Sequence, residues 1–130
     1  MKIDYVADTM AIVLRLENRK LPACVKTIFN DVESGHQRLA IPAMTLAELG
    51  YLAEKKRIET SLSALDDYID RYPLIAIEPM TADIIHQTFL ISNISELHDR
   101  IIAATAVCLD AVLVTNDPII SASGCVRVVW

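Results

Sequence analysis

Cysteine is scarce in this sequence, and the spacing of its cysteines argues against both disulfide bonds and a zinc site. There are three cysteines, an odd number, and none forms a Cys-x-x-Cys pair or has a neighbouring His at ligand spacing. Neither a disulfide framework nor a zinc site is therefore indicated. We expect all three to be small core residues. They are Cys24, Cys108 and Cys125.

Glycine is equally scarce, and the chain lacks a phosphate-binding glycine loop. Gly35, Gly50 and Gly124 are scattered along the sequence. A nucleotide-binding or dehydrogenase-type α/β domain needs clustered glycines, so this class is disfavoured. A receiver-type phosphorylation domain is also disfavoured, because it needs an acceptor Asp after its third strand, where this chain has Glu78-Pro79.

Long apolar runs are absent as well. The longest weakly interrupted stretch, residues 101–114, contains Thr105 and Asp110 and is shorter than the ~20 residues that a membrane helix needs. Asp4 and Asp8 stand where a secretory signal would need an uncharged apolar segment. We therefore expect a cytoplasmic protein that makes no membrane contact.

Positive charge is in deficit, since 12 Lys and Arg face 17 Asp and Glu and the formal net charge is -5. Binding of nucleic acid by bulk electrostatics draws on a surplus of Lys and Arg. That mode is disfavoured unless bound cations offset an acidic site. Apolar residues, in contrast, are plentiful: a hydrophobic content of 53% without low-complexity tracts predicts one compact domain over residues 1–130.

Strand and helix patterns alternate along the chain. Short apolar runs predict five strands, at residues 3–7, 38–42, 74–77, 111–115 and 126–129. Helical spacing of apolar residues predicts helices from residue 9, at 22–35, 45–56 and 58–72, from residue 81, and at 95–109. The segment Asn116-Asp117-Pro118 is expected to be a turn. This order predicts an α/β fold, a three-layer α/β/α domain with a mainly parallel five-stranded sheet and right-handed crossovers.

Four acidic residues share a location in this predicted topology. Asp8 follows the first strand, Asp117 follows the fourth, Glu48 lies near the start of the helix after the second strand, and Asp99 lies in the first turns of the helix before the fourth. Ligands of open α/β sheets bind beyond the carboxyl ends of the strands, so all four side chains can face one crevice. Glu48 stands on an otherwise apolar helix, where a lone carboxylate is costly to bury. It needs a cation, a hydrogen-bond donor or a wet cleft.

Each of these acids also has an ordinary structural explanation. Asp8 can cap a helix, Asp99 can complement a helix dipole, Asp117 can belong to a turn, and Glu48 can reach solvent or pair with a nearby cation. Their shared location favours a joint function. Clustered carboxylates without soft ligands suit hard cations such as Mg²⁺ or Mn²⁺, as one ion or two.

Four segments resemble, in order and spacing, the four motifs of PIN domains. They are residues 6–9 (VADT), 45–49 (TLAEL), 97–106 (LHDRIIAATA) and 113–117 (LVTND). The ending, residues 125–130, is similar to the final strand of that family, so the resemblance spans essentially the whole chain. Among PIN proteins, a single-domain chain of this length most resembles the VapC-type toxins of prokaryotic toxin–antitoxin pairs.

The resemblance implies a metal-dependent endoribonuclease that cleaves RNA phosphodiester bonds with a cation-activated water. Asp8, Asp99 and Asp117 would bind Mg²⁺ or Mn²⁺. Glu48 would be a further ligand or would hold a water molecule.

Other residues take supporting roles in this interpretation. Thr9 and Thr115 would orient the carboxylates through their hydroxyl groups, and both are equally ordinary strand-end residues. Arg15, Lys55 and Arg100 are candidate contacts for the RNA backbone.

The resemblance also implies protein partners, namely a cognate antitoxin that blocks the pocket and a second copy in a homodimer. The apolar helix face around Leu46, Leu49 and Leu52 would help to bury either partner, and core packing explains these leucines equally well. Two alternatives keep the fold. One is a non-toxin PIN-type RNA-processing nuclease, and the other is a catalytically silent module that binds RNA or protein.

Overall fold

The computed structural model describes residues 2–130 and shows one five-stranded sheet. All four strand pairings are parallel, and the strand order is β3-β2-β1-β4-β5. The strands are β1 Tyr5–Ala7, β2 Leu39–Pro42, β3 Ile75–Glu78, β4 Val112–Val114 and β5 Val128–Val129. The predicted parallel sheet is confirmed.

Seven helices accompany the sheet in residues 2–130. Six of them were predicted from apolar spacing. The helices are α1 Thr9–Leu16, α2 Ala23–Glu33, α3 Ala43–Glu54, α4 Leu62–Arg71, α5 Ala82–Thr88, α6 Leu97–Leu109 and α7 Pro118–Ser123. The last one, α7, replaces the predicted turn, because Asp117 caps this helix and Pro118 occupies its first turn.

Two apolar clusters, one on each face of the sheet, make the three-layer α/β/α architecture that the sequence predicts. On one face α1, α2, α3 and α4 pack around the fully buried Phe29 and Ile41. On the other face α5, α6 and α7 pack around Ile102 and Leu113. Side chains of β1 alternate between the two clusters, with Ala7 in the first and Val6 in the second.

Small side chains let α6 approach the sheet closely, as predicted. Ala103, Ala104 and Ala106 are each 0% exposed and belong to the second cluster. This close packing fixes the start of α6, and with it the position of Asp99, relative to the strand ends.

The expectation that the cysteines are core residues is wrong. Cys24 and Cys108 are exposed and Cys125 is half-buried. Cys24 lies on the outer face of α2, whose inner face is formed by Val25, Ile28 and other apolar residues. The position of a residue around the helix axis decides whether its side chain faces the core. The apolar character of cysteine was therefore not enough to predict burial.

Within residues 2–130 no helix has both the length and the apolar character needed to cross a membrane.

Candidate active site

The four predicted acidic residues line one crevice at the carboxyl ends of β1 and β4. From these adjacent strands the chain continues to opposite sides of the sheet, to β2 in one case and to β5 in the other. Such a reversal of strand order opens a crevice in α/β sheets. The cavity has a volume of about 160 Å³ and is lined by Asp8, Thr9, Met10, Glu48, Leu52, Asp99, Ile102, Asn116 and Asp117.

Asp8 is the most firmly held of these carboxylates. It is buried and caps α1, where its Oδ1 accepts a hydrogen bond of 2.9 Å from the backbone N–H of Ala11. Its Oδ2 accepts a hydrogen bond from the hydroxyl of Thr115, which is itself 0% exposed. Both oxygens therefore have fixed donors, and the Asp8 carboxylate is locked at the end of β1.

Thr115 also links Asp8 to Asp117. Its hydroxyl oxygen accepts a 3.1 Å hydrogen bond from the backbone N–H of Asp117. The Asp117 Oδ1 in turn accepts the N–H groups of Ile119 and Ile120, at 2.8 and 3.1 Å. Asp117 is thus oriented by its own helix, and its second oxygen takes no part in the cap.

Glu48 reaches the crevice from α3 and has the donor and the wet cleft that its apolar surroundings require. The hydroxyl of Thr9 donates to Glu48 Oε1 at 2.7 Å, while Glu48 Oε2 lies 3.9 Å from Nδ1 of His98. His98 also lies 3.4 Å from Glu96, and 52% of its side chain is exposed at the rim of the crevice. Glu48 is therefore anchored by one oxygen and open at the other.

Asp99 is the least restrained member of the set. It lies half-buried in the first turn of α6, and its backbone N–H is capped by Glu96 Oε2 at 2.9 Å. No hydrogen-bond donor within residues 2–130 contacts its carboxylate. This side chain is free to turn toward a ligand in the crevice.

Burial and mutual repulsion disfavour the charged forms of two of these acids. Burial raises the pKa of Asp8 to about 6, assisted by the charges of Asp117 and Glu48 and opposed by the hydrogen bonds from Thr115 and Ala11. Burial likewise raises the pKa of Asp99 to about 6, assisted by the same neighbouring carboxylates and by Glu96. The crevice therefore carries more negative charge than its surroundings compensate.

The chemistry of the donors fits a hard divalent cation. The crevice offers carboxylate, hydroxyl and amide oxygens, and no Lys or Arg is among its lining residues. Within residues 2–130, however, no three His, Cys, Asp or Glu side chains already stand close enough to hold a metal ion. Like charges repel, so convergence of these carboxylates requires the cation itself. The residues fit the ion in type and location, and Asp99 has the freedom to complete the approach.

Larger cavities, of about 480 Å³ each, lie along α1 and α2 and contain none of the four acids. The acidic side chain deepest in that region is Glu33, which pairs with Arg15 at 2.8 Å. The charge there is compensated, whereas the charge of the smaller crevice is not.

The candidate RNA-binding cations lie outside the crevice and differ in their partners. Arg15 is committed to Glu33 and Asn30 on α2. Lys55 is exposed, with Nζ 5.5 Å from the ring centroid of Tyr51. Arg100 directly follows Asp99, which lines the crevice.

Sequence reasoning missed Asn116 and treated it only as a turn residue. Asn116 lines the crevice together with the carboxylates. Its position between two assigned residues, Thr115 and Asp117, was the signal available in the sequence. Of the leucines considered for a partner surface, Leu49 is fully buried in the core and Leu52 lines the crevice.

Comparison with known proteins agrees with the geometry. A sequence model of the PIN domain family matches residues 5–123. No curated protein sequence matches the chain.

Solved structures share the fold at low sequence identity. A chain in the crystal structure of VapBC2 from Rickettsia felis, bound to a promoter DNA fragment, is 22% identical with a TM-score of 0.75, over 98% of this chain and 99% of that chain. A chain of DNA-bound VapBC from Salmonella typhimurium is 23% identical, with a TM-score of 0.74 and coverage of 98% and 97%. The Mycobacterium tuberculosis toxin VapC20, described as cleaving the sarcin–ricin loop, is 16% identical, with a TM-score of 0.66 and coverage of 93% and 95%.

Proposed function

Because the chain belongs to the PIN-domain family, we propose that it is a metal-dependent endoribonuclease that hydrolyses RNA phosphodiester bonds in the acidic crevice. One observation carries this proposal. Four carboxylates from separate parts of the sequence line one crevice beyond the ends of β1 and β4, with no Lys or Arg among the lining residues. Keeping so much like charge together is unfavourable unless a cation joins it.

The four acidic side chains have different proposed roles in binding that cation. Asp8, Asp99 and Asp117 are its proposed ligands, and Glu48 either joins them or positions a water molecule through Oε2. Bound Mg²⁺ or Mn²⁺ would act as a Lewis acid and activate water for attack on phosphorus. The chain contributes a fixed Asp8, locked by Thr115, and an adjustable Asp99.

The threonines give the site its rigidity. The Thr9 hydroxyl donates to Glu48 and the Thr115 hydroxyl donates to Asp8, so each fixes one carboxylate from a strand end or a first helical turn. Locked donors reduce the reorganisation needed when substrate binds, which is how preorganised sites lower a barrier.

Charge removal at constant volume tests the assignment. Asp99→Asn is expected to abolish RNA cleavage in Mn²⁺ and to weaken Mn²⁺ binding at least about tenfold, because one ligand charge is lost. Asp66→Asn, on the exposed side of α4, is the matched control and should leave both unchanged. Isothermal titration with Mn²⁺ and a gel assay with labelled RNA measure the two effects. Unaltered cleavage by Asp99→Asn, or cleavage that persists in excess EDTA, would contradict the proposal.

The biological role proposed here is that of the toxin in a toxin–antitoxin pair, acting in the cytoplasm with an antitoxin partner and as a homodimer. This role is supported by the shared fold with chains from VapBC complexes. Expression of the chain should arrest growth, and co-expression of the product of an adjacent small gene should relieve the arrest. If expression is harmless and the purified chain cleaves RNA, the protein is instead an RNA-processing nuclease. If expression is harmless and the chain does not cleave RNA, it is a silent binding module.

Light scattering tests the homodimer separately. The purified chain is expected to have twice the mass of the 14.4 kDa protomer. A monomer at high concentration would remove self-association from the proposal and leave the chemistry of the crevice untouched.

A further inference from the structure

An exposed phenylalanine and an arginine lie next to each other beside the acidic crevice. Phe89, at the carboxyl end of α5, is 65% exposed, whereas the other phenylalanine of the chain, Phe29, is 0% exposed. The guanidinium carbon of Arg100 lies 5.4 Å from the centroid of the Phe89 ring. The two side chains form a cation–π pair, in which the cation is attracted to the aromatic face.

The charge of Arg100 is not matched within the protein. Within residues 2–130 it forms no salt bridge, and its Nε is screened from solvent without a hydrogen-bond partner. Arg15 and Arg127 provide a contrast, since they pair with Glu33 and Asp110. A guanidinium that no carboxylate of the described chain neutralises is available to an anionic partner through its terminal nitrogens.

Helical geometry puts this pair at the rim of the site. Asp99 and Ile102 line the crevice from α6. Consecutive residues of a helix differ in direction by about 100°, so Arg100 turns from the crevice toward α5 and Phe89. Because Arg100 follows Asp99 in the chain, the Phe89–Arg100 pair lies on the neighbouring side of the start of α6, next to the crevice.

We propose that Phe89 and Arg100 form a stacking platform for one unpaired base of the RNA, next to the phosphodiester held in the crevice. This inference rests on the proposed function and adds a subsite to it, a place for one unpaired base at Phe89 and Arg100. Unpaired bases stack on aromatic rings and on guanidinium planes, whereas bases inside a duplex are not accessible to them. The neighbouring phosphate supplies the acceptor that the Arg100 guanidinium lacks.

The unmatched arginine favours RNA over a second protein chain as the occupant of this surface. An apolar protein interface that covered Phe89 and Leu90, which is 76% exposed, would desolvate the Arg100 charge without neutralising it. A nucleotide brings both an aromatic face for Phe89 and a negative charge for Arg100.

RNA binding measured without cleavage tests the platform. The probe is a short fluorescein-labelled single-stranded RNA of mixed sequence, followed by fluorescence anisotropy in Ca²⁺, a hard cation that takes oxygen ligands. Phe89→Ala is expected to weaken binding about 5- to 150-fold, the range found for loss of a base–aromatic stack. Phe89→Trp should restore binding to within about twofold of the parent. The adjacent Leu90→Ala is the control and should change it less than about twofold.

The outcomes separate the platform from the nuclease proposal and from a dimer surface. RNA binding equal in Phe89→Ala and the parent, or no RNA binding by the parent, would overturn the platform. If Phe89→Ala and Leu90→Ala both lose RNA binding and both lower the mass in light scattering, the surface joins two copies and the platform is wrong. Binding that depends on Phe89 without any cleavage in Mn²⁺ would uphold the platform and refute the nuclease.

Discussion

At the scale of single residues, the electrostatics of Asp99 gives a pH-dependent prediction. Its pKa is about 6 in the folded chain, against an ordinary value of 3.8, so between these values the folded state binds more protons than the unfolded state. Stability from this group is therefore greatest below about pH 4 and is lost as pH rises through about 6. In metal-free buffer Asp99→Asn should raise the Tm at pH 7.5, and it should raise it less at pH 5, where Asp99 is still mostly protonated in the folded chain.

Differential scanning fluorimetry in EDTA at both pH values measures this effect. Asp66→Asn is again the control, since its exposed side chain is remote from the crevice. An equal change of Tm at the two pH values would show that the charge of Asp99 is not destabilising in the folded state. Added Mn²⁺ should raise the Tm of the parent more at pH 7.5 than at pH 5, because protons compete for the same oxygens.

At the scale of secondary-structure elements, Asp117 has two roles that different substitutions separate. Its side chain caps α7 by accepting the N–H groups of Ile119 and Ile120, and its charge faces the crevice. Asp117→Ala should lower the free energy of unfolding by about 0.5–2 kcal/mol, the usual cost of losing a cap. Asp117→Asn keeps the cap and should cost much less, yet both should lose RNA cleavage.

Urea unfolding measures the two stabilities, and the cleavage assay is run on the same samples. Ser61 caps α4 by accepting the N–H of Ala64. Ser61→Ala is therefore the control, and it should lower the free energy of unfolding without loss of RNA cleavage. If Asp117→Asn cleaves RNA normally, Asp117 only caps α7 and is not a ligand of the cation.

Two helices also show which boundaries local sequence patterns cannot predict. Apolar spacing predicted a helix from residue 58, but α4 begins at Leu62 with Ser61 as its cap. Glu17, at the end of α1, accepts the N–H groups of Glu59 and Thr60 at 2.8 and 3.0 Å and holds this segment as a loop. A partner about 42 residues away along the chain cannot be identified from helical periodicity. The helix α7 was missed for the opposite reason, since Asn-Asp-Pro is typical of turns as well as of helix starts.

At the scale of the whole molecule, the net charge of -5 predicts weak salt dependence of RNA binding. Few cations lie near the crevice, and Arg15 is already paired with Glu33, so few phosphates are neutralised by side chains. A plot of the logarithm of RNA affinity against that of NaCl concentration should have a slope shallower than about -2, which corresponds to about three phosphate contacts. The measurement is made by fluorescence anisotropy at constant Ca²⁺.

A steep slope of about -5 or beyond would indicate a broad basic surface and contradict this picture. Omission of Ca²⁺ is the internal comparison. Without the cation the acidic crevice repels the phosphodiester, so affinity should fall at every salt concentration.

The sequence by itself determined the alternation of strands and helices, the parallel sheet and the place of each acid at a strand end or helix start. These features follow from short apolar runs in the strands, from apolar spacing of about 3.6 residues in the helices, and from the rule that ligands bind at the carboxyl edge of such sheets. Asp8, Glu48, Asp99 and Asp117 could be grouped for this reason alone.

Only the tertiary structure decided which side chains meet. Only packing between elements fixes the partners of Arg15, the donor to Asp8, the loop held by Glu17 and the contact of Arg100 with Phe89. Local spacing sets which face of an element a residue occupies. The angle and distance at which two elements pack, together with the rotamers that fit between them, decide what that face touches.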